Sequence, residues 1–285
     1  MILSLGAVVE AVIVCRDVEA SAGFHTRAFD LDVIERDGAE VLLGVKGVET
    51  GRIRLVPAPA GAETAETAED PRVWDIGPRL LGMYSRDLDR SVRSIDDAGG
   101  RSREPVTYPY GSASLSECVA LGSDGVWWTL PKAGAGHRPS PALEGDPDRL
   151  HGELHTAVIV PADHEEALRF FTEGGGLTVV FDGEMSGEPF ERMIGMPSGA
   201  SLRLSFLVSA DQAPARLEIM SFTGVDAADL SDRPLGLRRV VFAAEDPVSL
   251  ITALEACGGD RVGEHVVRGP GGIEVELRAT PGAAS

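Results

Sequence analysis

One pattern of apolar and polar positions occurs four times along the chain. Each copy starts with an apolar run, passes through an Asp into a segment with an apolar residue about every fourth position, and ends in short alternating stretches between Gly-containing turns. An apolar run predicts a buried strand, an Asp before a near-four period predicts a capped helix, and alternation predicts strands. We therefore predict four β-α-β-β-β modules, named A, B, A′ and B′ in chain order.

Modules A and A′ are copies of one another in sequence. Ala-Val-Ile-Val at 11–14 returns at 157–160, and Phe24 returns as Phe170, at the same offset of 146 residues. Modules B and B′ match less closely, at an offset of 159 residues. A register that is kept from a strand through a helix indicates an internal duplication.

Each predicted helix follows an Asp that can cap its first turn. In module A, Ala20, Phe24 and Ala28 form one apolar face after Asp17, and in module B′ a Pro stands at the first helical position, 247. Further strands are predicted at 33–36, 40–45, 52–56, 80–85, 115–121, 126–130 and 273–278. The predicted order within a module is strand, helix, then the remaining strands.

Two stretches without apolar periodicity divide the chain. Residues 57–70 are rich in Ala, Pro, Glu and Thr, which predicts an exposed acidic connection. Residues 133–152 carry several Gly and Pro and few large apolar side chains, a composition typical of an interdomain linker. We therefore expect an N-terminal domain at 1–132 and a C-terminal domain at 153–285, each of two modules. Pairing of module A with module B′ is the alternative.

Composition and charge narrow the classes of partner. The 285 residues are 43% hydrophobic and 25% charged, enough for two globular domains. A net charge of −19 repels nucleic acid and anionic membranes. No apolar run of membrane-spanning length and no signal-peptide pattern occurs, so we expect a cytoplasmic protein. The expected partners are a small-molecule ligand and, in a homodimer, a second copy of the chain.

The order of these elements resembles the vicinal oxygen chelate superfamily, which includes glyoxalases, bleomycin-resistance proteins and extradiol dioxygenases. The stretches that carry the resemblance are 10–24, 156–177, 190–197, 217–219 and 272–277. The resemblance covers nearly the whole chain. It implies an α+β fold in which four βαβββ modules form two glyoxalase-like half-barrel domains, each with a cleft lined by two modules.

In metal-using members of that superfamily, ligands come from one position on the first strand and one on the last strand of a module. By the resemblance these positions are, in module order, Glu10, Leu80, Thr156 and Arg239 on the first strands, and Arg54, Thr129, Glu218 and Glu276 on the last strands. A divalent ion needs about three convergent His or carboxylate ligands. We therefore expect no metal and no other cofactor. A β-bulge that turns His155 toward the cleft would leave one alternative, a site of His155, Glu218 and Glu276.

Opposite charges occupy the corresponding positions of two modules, Glu10 with Arg54 and Arg239 with Glu276, and we expect an ion pair in each. In the functional interpretation, Arg239 holds an oxyanion of the substrate and Glu276 or Glu218 is the general base. In the alternative interpretation, the pairs only neutralise buried charge. The predicted catalytic residues are Arg239, Glu276 and Glu218, and the predicted substrate-binding residues are Glu10, Arg54, Thr129, Thr156 and Trp127.

Aromatic residues give two further hypotheses. Trp127 shares the face of Thr129, where it either stacks on an aromatic ligand or packs in a core, and Trp128 points to the opposite face. Tyr108 and Tyr110 lie in a turn-rich stretch that either rims the cleft or is an exposed loop.

These residues and the resemblance together predict a metal-independent lyase, isomerase or cyclase that acts on an oxygenated or aromatic metabolite. A non-catalytic protein that binds a drug or metabolite, as in the bleomycin-resistance branch, is the first alternative. A metal-dependent dioxygenase or glyoxalase is the second.

Overall fold

The computed structural model of the protein describes residues 3–60, 70–110, 113–134, 140–209 and 216–280. Most of the predicted acidic connection, 61–69, lies outside the described residues, as do residues 135–139 of the predicted linker. In the described part of the chain, no helix combines the length and the apolar character needed to cross a membrane.

The first half of the chain contains modules A and B. Module A consists of β1 (Val8–Cys15), α1 (Val18–Phe29), β2 (Asp32–Asp37), β3 (Glu40–Gly44) and β4 (Arg52–Pro57). Module B consists of β5 (Gly77–Ser85), α2 (Leu88–Asp97), β6 (Arg101–Ser102), β7 (Val106–Tyr110), β8 (Ala113–Leu121) and β9 (Trp127–Pro131). The predicted strands of both modules are present, with boundaries shifted by up to three residues.

The second half begins with a short helix, α3 (Pro141–Gly145), in the predicted linker. Module A′ consists of β10 (His151–Val160), α4 (His164–Arg169), β11 (Thr178–Ser186), α5 (Glu188–Phe190), β12 (Ser201–Val208) and β13 (Leu217–Thr223). Module B′ consists of β14 (Gly236–Ala244), α6 (Pro247–Ala256), β15 (Asp260–Gly263), β16 (Val266–Arg268) and β17 (Glu274–Ala279). π-Helical turns continue α4 through 170–174 and α5 through 191–195.

All four predicted helix caps are confirmed. In each module, the Asp carboxylate before the helix accepts a hydrogen bond of 3.0 Å from the backbone N–H three residues later. The four pairs are Asp17 with Ala20, Asp87 with Arg90, Asp163 with Glu166 and Asp246 with Ser249. Each bond satisfies one of the free N–H groups of a first turn, so the sequence fixes where these helices begin.

The modules pair across the two halves of the chain. Sheet 1 has the strand order β15-β16-β17-β14-β1-β4-β3-β2 and combines B′ with A. Sheet 2 has the order β11-β12-β13-β10-β5-β9-β8-β6, with β7 beside β8, and combines A′ with B. The expected grouping into half-chain domains, 1–132 and 153–285, is therefore wrong for the sheets, and the alternative pairing is the one present.

The ends of the linker hold β10 beside β5. Ala133 N donates to Ser85 O at 2.7 Å, and Arg86 N donates to Leu150 O at 3.0 Å, so both ends of the linker lie beside the end of β5. β10 therefore starts opposite Ser85 and runs antiparallel along β5. The corresponding edge of β1 is left to β14, which pairs with it antiparallel from Val8 onward.

The four capped helices, α1, α2, α4 and α6, pack between the two sheets in one shared core. Ser94 in α2 joins the helices of modules A and B, because its hydroxyl donates to the backbone oxygens of Arg27 and Ala28 at 3.0 and 2.9 Å. The largest side chains of this core with less than 2% exposure are Phe29, Trp128, Phe170, Phe171 and Phe242. The opposite face of each sheet, which carries no long helix, is here called its open face. Trp127 lies on the open face of sheet 2, as the alternation predicted.

Gly51 lies where the two sheets approach each other closely. Its replacement by Ala is expected to lower the free energy of unfolding by about 3 kcal/mol. Its N–H donates to Val8 O, its carbonyl accepts from Leu154 N, and its φ is +67°. A Cβ here would collide with the backbone of Leu154 in β10. Gly47→Ala is the matched control, since Gly47 has φ +81° but no atom within 4 Å of a Cβ. Urea unfolding of both variants measures the difference, and equal losses would contradict the prediction.

Candidate functional site

The open face of sheet 1 carries the two predicted ion pairs. Arg54 Nε donates to Glu10 Oε1 at 2.8 Å, and Arg239 Nη1 donates to Glu276 Oε2 at 2.8 Å. The register accounts for this, because Glu10 pairs with Arg52 and Arg239 pairs with Glu274. Arg54 and Glu276 lie two residues further along the neighbouring strands, and therefore on the same face as their partners. Both pairs expected from the sequence are therefore present.

These pairs belong to a larger ionic network. Glu10 and Glu276 are bridged by Arg278 at 3.6 and 3.4 Å. The further contacts are Arg54 with Glu40 at 3.5 Å, Arg239 with Glu274 at 2.8 Å, Arg268 with Glu274 at 3.6 Å and Arg268 with Asp232 at 3.5 Å. Four guanidinium groups thus pair with five carboxylates on this face. Most of their charge is neutralised within the network.

All three nitrogen atoms of the Arg239 guanidinium group donate to carboxylates of this network. Its Nε and Nη2 both donate to Glu274, at 3.0 and 2.8 Å, and its Nη1 donates to Glu276. Burial opposes the charge of Arg239, but the two carboxylates outweigh it and raise its pKa. An arginine that anchors a ligand needs a free fork of donors. The geometry favours the interpretation that these pairs neutralise charge.

Glu218 does not join Arg239 and Glu276. It lies on β13, next to Val158 of β10, in sheet 2. The expectation that Arg239, Glu276 and Glu218 form one catalytic group is therefore wrong, and the reason is the cross-half pairing of modules. The four residues of A and B′ stand on one sheet, and those of B and A′ stand on the other.

The open face of sheet 2 is mainly apolar. Leu80 is the centre of a row in which Trp127 lies on one side and Val158 and then Glu218 on the other. The buried apolar residues clustered here are Val73, Leu80, Val106, Tyr108, Val119, Leu121, Trp127, Val158, Val160, Met193, Ile194, Met196, Ala200, Leu202, Leu204 and Met220. Polar groups on this face are consequently in a poorly solvated environment.

Sheet 2 curves so that its distant strands approach each other. β8 and β13 are separated by three strands, a path of about 19 Å along a flat sheet. The segment after β11 nevertheless reaches module B, since the rings of Tyr108 and Phe190 lie 4.8 Å apart. The open face therefore forms a half-barrel closed on one side by residues 188–195.

Two carboxyl groups face this half-barrel, Glu117 on β8 and Glu218 on β13. Glu117 accepts hydrogen bonds from the hydroxyl of Tyr108 at 2.6 Å and from that of Thr129. Burial raises the pKa of Glu117, and the two hydroxyl donors counteract part of that rise. Burial, and secondly the charge of Glu117, raise the pKa of Glu218 to about 8. Both residues are only half-buried, so solvent-sized molecules reach them.

A β-bulge brings His155 to the same side of the sheet. The register of β10 against β5 shifts between Leu154 and Thr156, and the His155 ring stacks on Tyr84 with centroids 4.2 Å apart. A Cβ on Gly82 would lie 3.5 Å from His155 Cε1 and 3.2 Å from Thr129 Cγ2. His155 therefore lies on the open side with Thr129. Thr156 is fully buried against Gly82 and forms part of the wall.

The four corresponding strand positions of each sheet do not form a donor set that fits a divalent ion. In sheet 1, two of the four corresponding positions are arginines engaged by carboxylates. In sheet 2, the four positions are Leu80, Thr129, Thr156 and Glu218, of which only the last is a carboxylate. The alternative set of His155, Glu218 and Glu276 is not assembled, because Glu276 is on the other sheet. No cluster of three or more His, Cys, Asp or Glu suited to a metal occurs among the residues described.

Glu117 is the functional candidate that the sequence did not reveal. It stands in β8 at a position whose neighbours two residues away, Leu115 and Val119, are apolar. A single acid on the apolar side of an alternating strand is the signal that could have identified it. Tyr108, considered as a rim residue, is buried and is a hydrogen-bond partner of that acid.

Comparison with solved structures establishes the fold. Glyoxalase I from Zea mays covers 95% of this chain and 91% of its own, at 17% identity and a TM-score of 0.63. A proposed dioxygenase from Bacillus subtilis covers 98% and 86%, at 11% identity and 0.64. The cppA protein from Streptococcus pneumoniae covers 98% and 100%, at 11% identity and 0.51. No protein-family model and no curated sequence matches. The expected α+β fold of four βαβββ modules is confirmed.

Proposed function

For a chain that has the vicinal oxygen chelate fold, we propose an acid–base enzyme that binds a small, largely apolar carbonyl compound in the half-barrel of sheet 2 and moves a proton within it. The observation that carries this proposal is the pair of carboxyl groups, Glu117 and Glu218, which face one apolar space from opposite strands. Its reaction class is isomerisation or elimination, without a metal among the reacting groups.

The two carboxyl groups are placed in different environments. Tyr108 and Thr129 donate to Glu117, which stabilises its charged form. Glu218 retains its proton until a pH of about 8, because its pKa is raised first by burial and then by the Glu117 charge. We assign the role of base to Glu117, whose charged form two hydroxyl groups stabilise, and the role of acid to Glu218. Such a separation of two carboxyl groups is the usual basis for assigning acid and base roles.

The proposed step is a redox-neutral enolisation. Glu117 takes a proton from the carbon beside a carbonyl, the C–H electron pair forms a C=C bond, and Glu218 donates its proton to the carbonyl oxygen. In a β,γ-unsaturated ketone, Glu117 returns its proton at the γ carbon while Glu218 recovers the proton from the dienol oxygen. In a hydroxyketone, Glu117 returns its proton at the former carbonyl carbon while Glu218 takes the proton of the neighbouring hydroxyl, which becomes the new carbonyl. Both carboxyl groups end as they began. Apolar walls such as Val158 and Trp127 exclude water from the intermediate.

We expect Glu117→Gln and Glu218→Gln each to slow this proton transfer by about 10² to 10⁴-fold. The assay is exchange of carbon-bound hydrogen for deuterium in D₂O, followed by NMR on a panel of small ketones and hydroxyketones. It detects the step without knowledge of the product. Glu276→Gln, in the network of sheet 1, is the matched control and should exchange at the wild-type rate. If only the Glu276→Gln control lost hydrogen exchange, the reaction would take place on sheet 1 instead.

A non-catalytic binding protein is the second candidate. The observation that favours it is that Met193, Met196 and Met220 line the half-barrel. Methionine side chains are flexible and adapt to ligands of different shape. A ligand that binds with equal affinity to the wild type and to both Gln variants, and exchanges no hydrogen, would establish this function in place of the enzyme.

A further inference from the structure

A second cavity lies at one end of the open face of sheet 2. It has a volume of about 410 Å³ and is enclosed by residues 70–74, by Arg101, Ser102 and Arg103, and by Leu121, Trp127 and Ile194. Pockets of about 300 to 1,000 Å³ are typical of small-molecule sites. Leu121 and Glu117 are four residues apart on β8, a distance of about 13 Å along the strand. The cavity therefore adjoins the half-barrel through Trp127 and Ile194, but neither Glu117 nor Glu218 lines it.

The walls of this cavity combine tryptophan rings with arginine side chains. Trp127 is fixed by a 2.7 Å hydrogen bond from its Nε1 to Pro71 O. The guanidinium carbon of Arg103 lies 6.0 Å from the centre of the Trp127 ring, and that of Arg72 lies 5.5 Å from the centre of the Trp74 ring. Two aromatic surfaces and two cationic groups thus line one space.

Arg103 differs from the other two arginines of the cavity. Arg72 is bound to Asp75 at 2.9 Å, and Arg101 is paired with Asp70. No carboxylate pairs with Arg103 in any of the described segments. Gly195 makes room for it, because a Cβ at this residue would collide with the Arg103 guanidinium. The free planar fork of Arg103 therefore remains available over Trp127.

The charge of the cavity contrasts with that of the protein. Three arginines and one aspartate line the cavity, whereas the whole chain has a net charge of −19. A guanidinium fork binds carboxylates with two parallel hydrogen bonds, and indole rings stack on other aromatic rings. We propose that this cavity binds an aromatic carboxylate, with the carboxylate on Arg103 and the ring between Trp127 and Trp74. The site shares Trp127 with the half-barrel but contains neither Glu117 nor Glu218.

Binding of 2-naphthoate, measured by calorimetry on the full chain, tests this site. We expect Arg103→Gln to weaken binding about tenfold or more, and Arg103→Lys to restore only part of the loss. Arg93→Gln, which removes an exposed arginine of α2, should bind as the wild type does. The neutral analogue 2-naphthalenemethanol should bind the wild type at least about tenfold more weakly than the acid. Equal affinity of the acid and the alcohol, or of Arg103→Gln and the wild type, would overturn the proposal.

The same measurement separates this site from the proposed active site. Glu117→Gln and Glu218→Gln should leave 2-naphthoate binding unchanged, because neither carboxyl group lines the cavity. Trp74→Ala should weaken binding, since one stacking surface is removed and Trp74 is half-buried at the cavity wall. A loss of naphthoate binding in both Glu variants, with Arg103→Gln unaffected, would place the ligand in the half-barrel instead.

Discussion

Glu218→Gln is expected to raise the free energy of unfolding by about 3 kcal/mol at pH 7. Burial and the Glu117 charge raise the pKa of Glu218 to about 8, from a usual value of 4.5. Between these values the unfolded chain has lost the proton while the folded chain still holds it, so wild-type stability falls as the pH rises from 4.5 to 8. Glutamine removes that loss, because it does not ionise.

The pH dependence is the decisive part of this experiment. Below pH 4.5 the carboxyl group is neutral in both states, so the variant and the wild type should be equally stable there. Urea unfolding at pH 4 and pH 7 measures both conditions, and Glu173→Gln, at an exposed position, is the control. A variant that is less stable than the wild type at pH 7, or that is more stable by the same amount at both pH values, would contradict the raised pKa of Glu218. Increased stability together with slower proton exchange would show that the site is maintained at a cost to the fold.

Acidification from pH 6.5 to pH 4 is expected to lower the free energy of unfolding by several kcal/mol. The cause is two buried histidines that remain neutral in the folded chain. Burial lowers the pKa of His25 to about 4 and the pKa of His151 to about 3. In this range the unfolded chain binds protons that the folded chain does not, so stability falls as the pH falls, by up to about 1.4 kcal/mol per pH unit for each residue. His25 packs against Trp128 at 5.6 Å and His151 against Phe29 at 5.4 Å, inside the shared core.

The slope of stability against pH tests this directly. His25→Leu should reduce the slope between pH 5 and pH 6 by about 1 kcal/mol per pH unit, whatever its effect on absolute stability. Glu218 contributes a slope of the opposite sign in the same range, so the comparison is made between variant and wild type, in which that contribution is common. An unchanged slope would mean that His25 titrates in the folded core as it does in the unfolded chain.

The modules and caps could be predicted because they depend on local pattern. An Asp three residues before a free N–H, and a repeat at constant offset, are visible in the sequence. The pairing of modules could not be predicted. The first strands of all four modules are apolar, and the sequence does not show which of them pair with each other. In the structure, the two ends of the linker bond to Ser85 and Arg86 and so hold β10 beside β5.

The candidate site was predictable to the extent that it followed strand alternation. Glu10 with Arg54, and Arg239 with Glu276, were placed correctly because corresponding positions on neighbouring strands share a face. The saturation of Arg239 by Glu274 could not be foreseen, as it depends on rotamers and on register against β17. The bulge at His155 is equally invisible in the sequence, because it arises from the register between β10 and β5.

The antiparallel pair of β1 and β14 has a consequence for synthesis of the protein. Val8 pairs with Phe242, so at about 5 to 20 residues per second the ribosome takes roughly 10 to 50 s to deliver the partner of the first strand. Throughout that interval the edge of β1 that pairs with β14 has no partner strand, and an unpaired strand edge is a site at which another chain can add. Protection of that edge while translation proceeds is therefore a requirement set by the topology itself.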